Sequence, residues 1–147
     1  MPSCTMKIVT AAIIFDGAKV LIARRGPDEK MAGYWEFPGG KVENGETLHE
    51  CLTRELREEL GFHVQAFETI AESVYQYEHG IIKLIGIRVE IIEGEINATV
   101  HDAVMWVEIN RLNDYLLAPA DIPIALKLQQ TYANLSGGTD ELLVGKP

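Results

Sequence analysis

Two apolar, β-branched runs, residues 8–15 and 19–24, flank the dipeptide Asp16-Gly17. An Asp-Gly pair favours the positive φ angles of a tight turn, so the pattern predicts a β-hairpin. Residues 26–34 are polar and Gly-bearing, and residues 35–37 form a short strand stopped by Pro38-Gly39-Gly40. After a loop at 41–45, residues 46–60 contain no Gly or Pro and repeat Leu48, Leu52, Leu56 and Leu60 at every fourth position, with Gly61 just beyond. This is an amphipathic helix with one buried stripe and a left-handed stop. Residues 67–77 and 81–92, separated by Glu78-His79-Gly80, predict a second hairpin, and residues 104–107 a further strand. Residues 110–116 read as a short helix and 122–135 as a longer one. Asp121 stands as its N-cap and Pro123 lies in the first turn, where a missing N–H costs little. Residues 136–147 read as a loose, flexible tail. This order suggests an α/β fold: one mixed sheet sandwiched between helices, a single domain with its core at 6–135.

Composition narrows the partners. A chain of 147 residues, 47% hydrophobic and 24% charged, is long enough for one sizeable core and excludes long disorder. Thirteen Lys and Arg against 22 Asp and Glu give a net charge of −9, which repels a nucleic-acid polymer or an anionic membrane. A small-molecule ligand is the expected partner, with the chain as monomer or homodimer. Cys4 and Cys51 form no CxxC and have no clustered His, so a reduced, cytoplasmic protein is expected. The first apolar run ends at Asp16, too short for a secretory signal, and no run reaches the roughly 20 residues of a membrane span.

The helix at 46–60 carries the candidate chemistry. At about 100° per residue, Glu55 and Glu59 lie within roughly 20° of Leu48 and Glu58 about 80° away, beside the apolar stripe, while Glu50, Thr53, Arg54 and Arg57 fall on the outward side. Like charges at these spacings cost roughly 0.2–0.5 kcal/mol a pair, and the last turn of a helix disfavours anions. A divalent cation removes both penalties, and clustered carboxylate oxygens suit Mg²⁺, with Mn²⁺ as a substitute. The bland alternative is neutralisation of the glutamates by Arg54 and Arg57 on an ordinary solvated helix.

The context upstream favours the cation. Gly40, five residues, Glu46, seven residues, then Arg54-Glu55-Leu56-Arg57-Glu58-Glu59-Leu60-Gly61-Phe62 resembles the signature box of the Nudix hydrolases at each of its nine constrained positions. Arg24-Arg25, Trp35-Glu36-Phe37-Pro38-Gly39-Gly40-Lys41 and Leu117-Ala118-Pro119-Ala120-Asp121-Ile122-Pro123 are similar to the MutT-type branch. Within that branch the last segment is most similar to the bacterial CTP-hydrolysing group. The resemblance spans roughly residues 6–132.

The resemblance implies a Nudix fold and hydrolysis of a nucleoside triphosphate to the monophosphate and pyrophosphate, a house-cleaning reaction of the nucleotide pool. CTP, dCTP or 8-oxo-dGTP are the implied substrates. ADP-ribose and dinucleoside polyphosphates are the alternatives, as is a non-catalytic nucleotide sensor, although such modules usually lose a metal glutamate. The implied metal ligands are Glu55, Glu58, Glu59 and the carbonyl of Gly40, with Arg54 orienting the glutamates and Glu46 supporting the loop or the outer shell. Arg25 and Lys41 become candidates for phosphate contact, since a cationic donor beside phosphate is strongly favoured. Phe37 is a candidate for base contact, although a core position in its strand suits it better. Asp121 stands where 8-oxoguanine-reading members carry an asparagine; ionised, it only accepts hydrogen bonds, as from the cytosine amino group or an oxidised guanine N–H. An acidic residue of the loop before Trp106 approaches the metal in many members, but here Val100 takes that position. His101, which reads as an exposed loop residue, and Asp102 are weak substitutes, leaving Glu58 or Glu59 as general base.

Overall fold

In the computed structural model, which describes residues 5–132 and 138–146, the first two runs become β1 (Met6–Asp16) and β2 (Lys19–Arg25). Gly17 takes a φ of +59° between them, as the turn requires. The hairpin is short: β1 and β2 pair at Phe15↔Val20 and Asp16↔Lys19. From there β1 runs parallel to β5 (Gly80–Glu93), from Met6↔Ile81 to Ile14↔Val89. Its other edge is taken by the segment after β3 (Trp35–Glu36), where Thr10 and Ala12 donate to the carbonyls of Gly40 and Pro38 at 2.8 and 2.6 Å. Glycine is required at position 39 because a Cβ there would run into the Thr10 carbonyl.

With β4 (His63–Tyr77), β6 (His101–Glu108) and β7 (Glu141–Gly145), the strand order is β4-β5-β1-β2-β6-β7, and β3 pairs with β2. Helix α1 (Leu48–Leu60) buries Leu52, Leu56 and Leu60 on one face of the sheet, against Ala12, Ile14, Leu21 and Ile87. Helix α2 (Ile122–Thr131) and a 3-10 helix, Ile109–Asp114, close the other face, with Ile124 and Leu128 packed in the same cluster as Ile13, Ile22 and Phe37. The sandwich of helices around a mixed sheet is therefore as expected. Full burial of each leucine contributes about 1.5–3 kcal/mol. Helix α1 starts two residues later than its pattern suggests, because Thr47 caps it in a reciprocal box with Glu50; Gly61, at φ +79°, ends it.

Several expectations need correction. The tail is not loose throughout: Glu141–Gly145 add a strand to β6, and Asp140 accepts from the Glu108 N–H and the Tyr115 hydroxyl at 2.8 and 2.6 Å. The short helix expected at 110–116 is the 3-10 turn Ile109–Asp114. Asp121 makes no side-chain cap on α2; its carboxylate is drawn instead to a backbone N–H 84 residues away. Residues 133–135 of the longer helix, and 136–137 and 147 of the tail, lie outside the described residues.

Candidate active site

Arg54 organises the exposed end of the acidic patch. The helical wheel sets it on the outward side, but its long stem carries the guanidinium back over the glutamates. Its Nε donates to Glu46 Oε2 at 2.6 Å and Nη2 to Glu46 Oε1 at 3.0 Å, while Nη1 reaches Glu55 Oε1 at 2.7 Å and Glu58 Oε2 at 3.4 Å. A bidentate pair of this kind fixes orientation as well as charge. The hydrogen bond from Arg54 holds the Glu46 carboxyl down at about 2. Glu46 thus supports Arg54, and Arg54 supports Glu55.

Glu59 is set differently. Burial, and then the charges of Glu55 and Glu36, push its carboxyl up to about 8. Its Oε2 is buried with no hydrogen-bond partner among the described residues. Gly40 lies against Glu55 so closely that a Cβ would overlap the carboxyl carbon. These features fit a hard divalent cation: an all-oxygen donor set, an unpartnered buried carboxylate oxygen, and a backbone position kept bare beside a second carboxylate. Glu58, whose side chain is 57% exposed, is turned toward Arg54. As the side chains stand, no group of three or more His, Cys, Asp or Glu among the described residues is gathered tightly enough to hold an ion. The Gly40 carbonyl accepts from Thr10 N, Thr10 Oγ1 and Cys51 Sγ at 2.8, 3.2 and 3.4 Å, so it is already engaged.

Glu55 and Glu59 open onto a cleft of about 380 Å³, the size of a small-molecule site. Arg25, Lys41, Phe37 and Asp121 line it too, so the structure gathers most of the expected residues around one space. Lys41 is exposed at its edge. Phe37, although it lines the cleft, is only 2% exposed and belongs to the core facing α2; its backbone N–H donates to Asp121 Oδ2 at 2.9 Å. Asp121 is 5% exposed, and burial, then the charge of Glu36, raise its carboxyl well above the usual range. Glu58 does not line the cleft.

The segment before Trp106 departs most from expectation. His101 is a buried residue of β6 rather than an exposed loop histidine, and its Nε2 lies 2.8 Å from Glu36 Oε2. Asp102 is committed to Arg24 at 2.7 Å. Val100 contributes its carbonyl to the Gly26 N–H. The residue that sequence reasoning missed is Glu36, which meets both Arg25 and His101. Its signal was present in Trp35-Glu36-Phe37: in a strand, two buried aromatics turn the residue between them to the opposite face.

The NUDIX domain model matches residues 6–128, and the chain belongs to that family, whose hydrolases in general need a divalent metal. It is 41% identical over 116 residues to the CTP pyrophosphohydrolase of Escherichia coli K12, covering 79% of this chain and 86% of that protein. It is 34% identical over 125 residues to the 8-oxo-dGTP diphosphatase of the same organism, covering 85% of this chain and 97% of that one. The solution structure of the E. coli ORF135 protein superposes with a TM-score of 0.76 at 36% identity, over 89% of this chain and 94% of that one. No helix among the described residues is long and apolar enough to cross a membrane.

Proposed function

We propose that the protein is a Mg²⁺-dependent nucleoside triphosphate pyrophosphohydrolase of the nucleotide pool, cutting a CTP- or dCTP-type nucleotide or 8-oxo-dGTP to the monophosphate and pyrophosphate. The observation that carries this reading is the cleft itself, which puts half-buried glutamates of α1, cationic side chains that include Arg25 and Lys41, and the buried carboxyl of Asp121 around one space. The names of the relatives support it. Mg²⁺, with Mn²⁺ as a substitute, would be held by Glu55, Glu58 and Glu59, with Glu58 leaving Arg54 to join, and with the Gly40 carbonyl only if it gives up one of its three donors. When bound, the ion neutralises charge on the phosphate oxygens and makes a bound water more acidic.

The chain's own residues do the rest. Arg54, fixed by Glu46, orients Glu55 and keeps Glu58 within reach. Arg25 and Lys41 grip phosphate; Arg25 Nη2 makes no hydrogen bond among the described residues and stands 3.7 Å from Glu29. With Asp102 paired to Arg24 and His101 buried against Glu36, the general base falls to Glu58 or Glu59. Asp121 accepts one hydrogen bond, from Phe37, which leaves it acceptor capacity for a cytosine amino group or an oxidised-guanine N–H. The free, buried thiol of Cys51 suits a reduced, cytoplasmic setting.

The test is release of pyrophosphate from CTP, dCTP, 8-oxo-dGTP and the common dNTPs, and of AMP from ADP-ribose, with and without Mg²⁺. Metal-dependent release from one nucleotide at kcat/KM well above the others supports the reading and names the substrate. Preference for ADP-ribose moves it to the nucleoside-diphosphate class, and silence across the panel with nucleotide binding intact moves it to a sensor.

A further inference from the structure

Three neighbouring strands meet at one carboxylate. Glu36 of β3 faces Ala23 of β2, and two residues further along β2 Arg25 faces His101 of β6, at a bulge between Arg24 and Arg25. Glu36 Oε2 receives Arg25 Nη1 at 3.1 Å and lies 2.8 Å from His101 Nε2; its Oε1 receives the same Nη1 at 3.2 Å. The Arg25 Nε is tied to the Lys30 carbonyl. Two of the three guanidinium nitrogens are thus clamped from behind, and Nη2, which has a 3.7 Å ion pair with Glu29 but no hydrogen bond among the described residues, is the nitrogen open to a ligand in the cleft that Arg25 lines.

His101 is the innermost member of this row, its side chain 0% exposed and its Nδ1 buried without a partner among the described residues. A proton on Nδ1 would be an unpaired buried donor, so the ring proton belongs on Nε2, where it is donated to Glu36. Burying Nδ1 unpaired costs stability, and the Nε2 hydrogen bond to Glu36 offsets only the burial of the other nitrogen. Without His101, Glu36 keeps Arg25 as its one donor and loses the anchor that fixes its rotamer.

We propose that His101 is a positioning residue for substrate binding: through Glu36 it holds the Arg25 guanidinium at the cleft. The proposal rests on the reading of Arg25 as a phosphate contact, and the test separates the two. Steady-state kinetics on the preferred nucleotide compare H101L, H101Q, R25A and the H101L/R25A pair, with melting curves to show that each variant is folded. H101L should raise KM about tenfold and leave kcat within about twofold, since an interaction with a charged group that binds ground and transition state alike is lost. H101Q, whose amide can still donate to Glu36, should recover most of the lost binding. In the R25A background the H101L change should add nothing to KM, because the group it positions is gone. Unchanged KM in folded H101L, or a rise in KM that multiplies with that of R25A, overturns the proposal. If R25A itself leaves KM unchanged, the phosphate-grip reading falls and takes the proposal with it, whereas a raised KM in R25A with none in H101L sinks the positioning role alone. Should H101L not fold, E36Q replaces it: its amide sets a donor against the Arg25 donors and should raise KM by a similar factor, and an unchanged KM there overturns the proposal equally.

Discussion

The two ends of the cleft are built in opposite ways. At the α1 end, Arg54 meets Glu55 and Glu58 along one helix and Glu46 eight residues away, with side chains partly open to water. At the other end, Phe37 meets Asp121 across 84 residues and Glu36 meets His101 across 65, with Asp121 and His101 almost wholly buried. The first end is a local charge arrangement on a capped helix, able to rearrange around an ion. The second is a set of polar groups locked by strand register, suited to holding shape. On the proposed reading, the first end meets the ion and the second holds the groups that recognise the nucleotide.

That contrast can be broken in order of expected effect. Glu58→Gln should lower kcat by about two orders of magnitude or more with melting unchanged, since charge stabilisation at the reacting phosphate is lost while an exposed side chain is swapped for its isostere. Near-normal turnover in that variant would remove Glu58 from the metal set. Gly40→Ala should cost about tenfold or more in kcat while the fold holds, because the three atoms nearest the new methyl are those of the Glu55 carboxylate, the far end of a side chain, which it pushes away. A large drop in melting temperature instead would make Gly40 a packing residue.

Asp121→Asn tests the recognition end. The amide brings two N–H donors where the carboxyl offers acceptors alone or, protonated, a single O–H, so the ratio of kcat/KM for cytosine and oxidised-guanine nucleotides should shift by about tenfold, with Mg²⁺ dependence unaltered. A ratio that stays put would reduce Asp121 to its structural bond with Phe37. The smallest effect is on stability against pH in metal-free protein. The Glu59 carboxyl is raised to about 8, and Asp121 is raised in the same direction. In the window between the ordinary carboxylate range and about 8, the folded state therefore holds protons that the unfolded state has released. Stability should fall as pH rises from about 5 to 8, and a thermal-melt series read without metal would contradict this by staying flat or rising.

The same contrast explains what the sequence made legible. Helix α1, its caps and its acidic patch depend on residues within one turn of each other or in the adjoining loop, so periodicity and the motif exposed them together. The α/β sandwich followed from the order of apolar runs. The wheel misplaced Arg54 because it locates a Cα and not the end of a long side chain. It did not show that β1 would leave its hairpin, because the partner that displaces β2 is an irregular Pro-Gly-Gly segment whose pairing has no periodic signature. Asp121 looked like a cap because that preference is local, while the Phe37 N–H that claims it is brought near by the fold. His101 looked exposed because a histidine beside an aspartate before a strand carries no sign of burial, and β6 begins three residues earlier than its apolar run.

The central claim is that the carboxylate of Glu59, whose Oε2 has no hydrogen-bond partner among the described residues, is a ligand for a divalent cation. Its most direct test is the melting temperature of wild type and Glu59→Gln at pH 8, each with and without Mg²⁺. Mg²⁺ should raise the melting temperature of wild type and leave Glu59→Gln nearly unmoved, with the metal-free variant itself at least as stable as metal-free wild type because a buried charge has been removed. An equal rise with Mg²⁺ in both proteins would contradict the claim.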